Sequence, residues 1–518
     1  MTHVVIAGAG IAGVPAAYAM KNRLGPQDKV TVVSNRDYFH FVPSNPWVAM
    51  GWRDRKDIAF PIEPCLAERD IEFIPQALKK VDGANKQVEL ADGSKLAYDY
   101  LILATGPEAA FDEIEGLDPA KARVHSVVHI EDAAQAYVDY QQFVKNPGPI
   151  VIGAVQNSSI LGPVYEFAFL VDADLRRRNL RDRVPITLIT PEPYVGHLGL
   201  GTESDTRRLL EQALAERDIK YLVNIKTKKI EKGVVHIAEC DAQGNEIQAR
   251  EIPFAYSVYW AAFRGIRALR ESANLTDERG FVKTDEYLRN PVYPNIFAVG
   301  VCGAHPSVSE SPLSIGAPDS VYSIQNEVDA VVRNIAAAIK GEAMTSLVPL
   351  RAHWLSDMSK SGAAYVSEPQ IPLRNINWLK EGRWVHLAKV DFENHFINQI
   401  KLKPARSSVS VDSAIATLIR RLQSGPDKIA RENKAQSHTE LLEVPIQLDL
   451  GYDLRALAQS LGQSRSVLAA ALLESALHDA KSMLRGVELD DLQRVKQDLM
   501  LADLPENQPG VKFHGGGT

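Results

Sequence analysis

Six residues near the N-terminus, Gly8-Ala9-Gly10-Ile11-Ala12-Gly13, have the types and spacing to hold a pyrophosphate. Gly8 permits a tight turn, Gly10 lets the backbone approach the phosphates, and Gly13 lets a helix pack closely on a strand. The run follows a β-branched stretch directly and opens an apolar helix from Val14 to Met20, so a helix N-terminus faces the negative charge. The acidic residue expected at the end of the second strand is missing. Ser34, Asn35 and Arg36 stand there, and the adenosine ribose would be held by neutral hydroxyl and amide groups, with Arg36 also suited to a 2′-phosphate.

Thiol and imidazole chemistry is sparse. Cys65, Cys240 and Cys302 are the only cysteines, with no CxxC and no metal-ligand spacing, so neither a disulfide framework nor a metal site is expected. Cys65 opens a helix after Pro61 and Pro64, and Cys240 borders a hairpin turn at 241–245; both read as packing or loop residues. Cys302, two residues past Gly300, is either a redox thiol activated by a helix N-terminus or a structural residue. His197, between Gly196 and Leu198, is either a proton shuttle or a hydrogen-bonded structural histidine.

The elements that position these residues alternate. Strand-like runs at 4–7, 30–33, 100–104, 150–152, 186–189 and 296–299 are separated by helical patterns, which predicts an α/β fold with parallel sheets. Two of the runs end in further glycine motifs, Ala104-Thr105-Gly106 and Val299-Gly300-Val301, and together with the N-terminal run these resemble the two-dinucleotide-domain flavoproteins, which implies FAD rather than a nicotinamide nucleotide at the first site. The length of 518 residues asks for about three domains at roughly 150 residues each. With 45% apolar residues, 24% charged residues and a net charge of −7, the chain is a soluble globular protein with no electrostatic pull toward nucleic acid or anionic lipid. It begins without a secretory signal and contains no run near the ~20 apolar residues a spanning helix needs, so the expectation is cytoplasmic, at most peripheral to the inner face of the membrane.

Longer segments carry a family likeness. Tyr38 through Trp52, Glu192 through Gly199, Gly316-Ala317-Pro318 and Gly382 through Lys389 resemble the sulfide:quinone oxidoreductases, a two-dinucleotide-domain flavoprotein family, from residue 1 to about 403. The resemblance implies an FAD-binding Rossmann-like domain over 1–106 and 285–345, interrupted by a second, degenerate nicotinamide-type domain over 107–284, and a quinone-side segment over 346–404. Its FAD set is Gly8, Gly10, Ile11, Ala12, Gly13, Ser34, Asn35, Arg36, Ala77, Ala104, Thr105, Gly106, Gly300, Val301 and Gly316. Lys389, Phe392 and Phe396 share one helix face and would line a quinone pocket, although the same stripe also suits an amphipathic core helix. In the second lobe Gly153 is followed by Ala-Val-Gln-Asn-Ser-Ser-Ile-Leu-Gly162, so two pyrophosphate glycines are absent and NADH use is disfavoured.

Three departures matter. Val301 stands where the family often has an aspartate, and Asp319 stands where a lysine is expected after the proline, its side chain pointing either inward or to solvent. The family's sulfide chemistry relies on cysteines that should fall near Val128, Ile160 and Trp354, and none of these is a cysteine. The resemblance therefore implies an FAD-dependent oxidoreductase without the persulfide relay, passing electrons from an unassigned donor to quinone or another acceptor. The alternative is a non-catalytic flavin-bearing binding or sensing protein.

The tail is separate. A linker and amphipathic helix over 405–439 precede a strand–helix–turn–helix order over 440–485 that resembles a ribbon–helix–helix domain, then a helix and disordered end over 486–518. With 13 basic and 15 acidic residues from 405 to 518, DNA binding is disfavoured, and a homodimer or higher homo-oligomer through 440–485 is expected. Membrane association is expected to be weak or absent, because the apolar face at 411–422 is short.

Overall fold

The computed structural model describes residues 1–402 apart from 122, 202–204, 306–308, 318, 349–351, 360–361, 369–375 and 382. The chain divides into two units, 1–404 and 405–518. The second unit, with the expected linker, ribbon–helix–helix module and terminal helix, lies outside the described residues.

The first lobe is a five-stranded parallel sheet in the order Ile296–Ala298, Tyr100–Leu103, His3–Ala7, Lys29–Val33, Glu72–Ile74. Its central strands are apolar over 4–7, 101–103 and 296–298 because both faces are covered, as parallel sheets require, while Lys29 and Glu72 mark the exposed strand starts toward one edge. Val4 and Ile6 join the core under the helices Gly13–Arg23 and Val321–Ile339, while Val5 and Ala7 join a second cluster with Val81, Val88 and Leu90 of a three-stranded antiparallel sheet. The second lobe repeats the plan with four parallel strands in the order Ile219–Leu222, Ile186–Ile189, Ile150–Ala154, Tyr256–Trp260. The helix Gly162–Arg177 covers one face and an antiparallel sheet of Ile225–Glu231, Val234–Cys240 and Glu246–Pro253 the other. A third part, the antiparallel strands Ala352–Asp357, Gly362–Glu368 and Ile376–Glu381 with the helix Arg383–Lys401, packs on the helices of both lobes.

The hairpin expected around 241–245 is present, and the Asp241 carboxylate accepts the backbone N–H groups of Gln243 and Asn245 at 2.9 and 2.8 Å. Cys240 is not a loop residue, however. Pairing runs one residue further than the turn chemistry implied, with Cys240 opposite Glu246, and the side chain is buried.

The return into the first lobe hangs on one buried amide. Asn290 donates to the carbonyls of Leu275 and Lys283 at 3.2 and 2.9 Å and accepts from the N–H groups of Val292 and Tyr293 at 3.1 and 2.9 Å. No other side chain type supplies two donors and an acceptor in that shape. Asn290→Ala removes four hydrogen bonds to the backbone at a fully buried position, and is expected to destabilise the protein by about 3 kcal/mol. A thermal melt within a degree of the unsubstituted protein would contradict this.

Candidate functional site

The glycine run folds as its spacing demands. Gly8 lies at φ +119°, and a Cβ there would sit 2.1 Å from the Ala104 carbonyl oxygen; a Cβ on Gly13 would sit 1.9 Å from the Gly8 oxygen. Strand, turn and helix therefore touch backbone to backbone, which pins the start of Gly13–Arg23 over the sheet's carboxyl edge. A Cβ on Gly10 meets nothing within 4 Å, nor does one on Gly106. Tight contact behind and open space in front is the shape a dinucleotide needs. Ile11 and Ala12 join the run to the helix, with the Ile11 carbonyl accepting from Gln325 Nε2 at 3.1 Å. Gly300, at φ +71°, lies across from Ala12, where an added Cβ would come 3.5 Å from the Ala12 methyl.

The remaining cradle residues are distributed around this centre. Ser34 closes the second strand with its oxygen accepting the Arg36 N–H at 3.1 Å, and the Arg36 guanidinium meets His129 Nδ1 at 3.3 Å. Asn35 is exposed beside them. Ala77 is half-buried, with its carbonyl accepting the Ala91 N–H at 2.9 Å. Thr105 follows Ala104 at the carboxyl end of the Tyr100–Leu103 strand, and Val301 packs against the core clusters of both lobes. Gly316 abuts Ser159, where an added Cβ would come within 2.7 Å of its methylene, and donates to the Ser158 carbonyl at 3.1 Å. Asn157 likewise donates to Ser314 at 2.6 Å. The turn after the second lobe's first strand is thus stitched to residues 314–316.

The three thiols are separate and enclosed. All are unpaired and buried. Cys65 lies in the short helix Glu63–Ala67, and burial raises its thiol, as it does that of Cys240. Cys302 is not activated by a helix N-terminus: it ends a 3-10 turn, its sulfur faces the carbonyl oxygens of Leu103 and Val299 at 3.1 and 3.4 Å, and burial pushes it up to about 11. With no exposed surface it offers nothing to a substrate. Val128 and Ile160 both pack on the second lobe's core, and the Trp354 side chain lies outside the described ones.

His197 is buried in a coil organised by Glu192. That carboxylate accepts from Tyr165 Oη at 2.5 Å, Thr190 Oγ1 at 2.7 Å and the Leu198 N–H at 2.7 Å. Burial raises Glu192 against these bonds. His197 Nδ1 accepts the Gly199 N–H at 3.2 Å, which places the proton of the neutral ring on Nε2.

Toward the other end, Lys389 is buried in an ion pair with Glu166 of the helix Gly162–Arg177, and its Nζ lies 4.9 Å from the Trp47 ring centroid. Trp47 Nε1 donates to Asp357 Oδ2 at 2.9 Å, which also meets His386 Nδ1 at 2.9 Å. Burial lifts Glu166 to about 7, against the pull of Lys389. Phe396 packs against Phe39 and Phe41, with ring centroids 6.1 and 5.4 Å away, and Phe392 lies 6.0 Å from Phe41. The two rings of this stripe are therefore part of the core packing, and Lys389 on the same helix is buried beside Trp47. Glu166 and Asp357 escaped sequence reasoning because Lys389 and Trp47, which they meet, lie 223 and 310 positions away.

The comparisons agree with this geometry. The family model described as pyridine nucleotide-disulphide oxidoreductase matches residues 2–322. The sulfide-quinone reductase of Aquifex aeolicus is 35% identical over 401 residues, 77% of this chain and 91% of that protein. The crystal structure of the Aquifex aeolicus sulfide:quinone oxidoreductase superposes with a TM-score of 0.73 at 34% identity, over 77% of this chain and 92% of that one. A type II NADH:quinone oxidoreductase of Staphylococcus aureus is 24% identical over 358 residues, 65% of this chain and 83% of that protein.

Gly10 and Gly13 make opposite predictions. Gly13→Ala forces backbone apart and should lower the melting temperature of the cofactor-free protein by several degrees, roughly 2–4 °C for each kcal/mol lost. Gly10→Ala should leave that melt unchanged and weaken cofactor binding about tenfold or more, a loss of about 1.4 kcal/mol. Fluorescence quenching on titrating FAD into the cofactor-free protein reads the second effect, and equal affinity would contradict it.

Proposed function

The chain belongs to the pyridine nucleotide-disulphide oxidoreductase family and to its sulfide:quinone oxidoreductase branch, and on that footing we propose that it delivers electrons to a quinone from a donor that needs no cysteine persulfide. It is a flavin-dependent oxidoreductase, and FAD is its cofactor. Gly8 through Gly13, Ala104 through Gly106 and Gly300 would hold it, and the flavin supplies two-electron transfer. The observation that carries the proposal is the state of the thiols: each is buried in a different place, and each is held in the protonated form that is a poor nucleophile.

On the acceptor side the reading rests on Lys389. An ammonium buried against Trp47 and Glu166, on the helix that also carries Phe392 and Phe396, is suited to donate a hydrogen bond to a quinone oxygen, and Glu166 behind it is a proton source near neutral pH. No described helix is long and apolar enough to cross a membrane. The proposal takes the protein as peripheral, meeting quinone from the cytoplasmic side. On the donor side His197, with its proton on Nε2, is the residue proposed to exchange a proton with the donor, and Cys302 is assigned to structure.

Anaerobic stopped-flow mixing tests the donor half. Sulfide should reduce bound FAD no faster than it reduces free FAD, while a donor able to reduce flavin directly should do so and decylubiquinone should reoxidise it. Rapid reduction by sulfide would sink the proposal, and failure of every donor would leave a flavin-bearing binding protein. On the acceptor side, Lys389→Met should raise the KM for decylubiquinone about tenfold, equivalent to about 1.4 kcal/mol, at unchanged FAD content. Glu166→Gln removes the acid that titrates at about 7, so the change in quinone reduction rate across neutral pH should flatten. An unaltered pH profile would remove Glu166 from the proton path.

A further inference from the structure

Gly300 is gripped on both sides. Its N–H donates to Glu327 Oε2 at 2.6 Å, and its carbonyl oxygen lies 3.4 Å from His305 Nε2. The same imidazole nitrogen is 3.4 Å from Asp319 Oδ2 and 3.7 Å from Glu327 Oε1. Asp319 therefore points inward, and the ionisable atoms of the three residues all lie within 4.8 Å of one another. The side chains of Asp319 and Glu327 are only 7% and 5% exposed, and Asp319 Oδ2 accepts no hydrogen bond.

Two carboxylates this buried, beside an imidazole whose side chain is 21% exposed, cannot all hold the charges they carry in water. Burial, then Asp319, lifts Glu327 to about 7. Burial disfavours protonated His305, but the two carboxylates outweigh it and raise the imidazole to about 9. Burial also raises Asp319, with His305 pulling the other way. Cys302 faces Glu327 as a neutral thiol, and no described lysine or arginine contributes to any of the three shifts. The cluster thus holds its protons in common, next to the glycine that faces Ala12 of the cofactor cradle.

We propose that His305, Asp319 and Glu327 form a proton store coupled to the flavin through Gly300, taking up one proton from water for each electron pair delivered to bound FAD. The proposal rests on FAD occupying the cradle at Gly8 through Gly13. Two electrons come from the donor, or from dithionite in a titration. One proton comes from water and ends on a carboxylate oxygen of the cluster. Added negative charge nearby raises the affinity of the cluster for that proton, so the uptake operates above the point where Glu327 alone would release it.

The consequence is measurable without turnover. Redox titration of the full-length holoprotein with dithionite and mediators, from about pH 6 to about pH 9, should show the reduction equilibrium falling an extra tenfold per pH unit above neutrality, about 30 mV for a two-electron couple. Glu327→Gln and Asp319→Asn should each abolish the extra slope while FAD absorbance is retained. Asp319→Asn leaves the Glu327 bond to Gly300 in place, so it decides the matter where Glu327→Gln loses the cofactor. The same slope in all three proteins would overturn the proposal. So would a potential that moves after dialysis against a chelator, which would mean a bound cation rather than a proton. A protein that takes up no FAD at all would instead sink the cofactor assignment.

Discussion

The contact between Gly8, Gly13 and Ala104 governs the rest of the architecture. Main chain meets main chain there at distances that exclude any side chain. The first helix can start nowhere else, and its N-terminal amides are thereby aimed across the carboxyl edge of the sheet. The strand that supplies Ala104 is hydrogen-bonded in turn to Ile296–Ala298, which delivers Gly300 to the opposite side of the cradle. A few tenths of an ångström at one turn thus set the position of residues almost 300 places apart in sequence.

The second organising principle is buried charge. Lys389 with Glu166 and Trp47 with Asp357 join the third part of the fold to the second lobe and to the segment after the second strand. Removing one member of such a pair generally costs about 3–5 kcal/mol, because its partner is stranded in a medium that cannot solvate it. Glu166 is partly protected from that outcome, since it can accept a proton near neutrality instead. The ion pair therefore combines two properties that usually compete, a fixed position and a variable charge.

Legibility in the sequence followed range. The glycine run, the alternating strands and the Asp241 turn were readable because each depends on residues within about ten positions, where periodicity and turn chemistry act. The absence of usable thiols was readable too, as composition. Cys240 was misplaced because strand pairing, a tertiary matter, overrode its local neighbours. The orientation of Asp319 was undecidable from Pro318 and Ser320 alone, since its partners His305 and Glu327 sit on a different loop and a later helix turn. Glu166 carries no local signal, because only the fold sets Lys389 against it. The pattern is general: acid–base sites are assembled by topology, and topology is what a linear motif does not contain.

The enclosure of all three sulfurs has a consequence for the conditions this protein tolerates. A relay built on exposed thiolates is vulnerable to alkylation, to peroxide and to over-oxidation beyond the sulfenic state, and must be rescued chemically after each lapse. Three buried sulfhydryls, each raised by its surroundings, present little thiolate to such reagents, so alkylating agents and peroxide should modify this protein slowly while it stays folded.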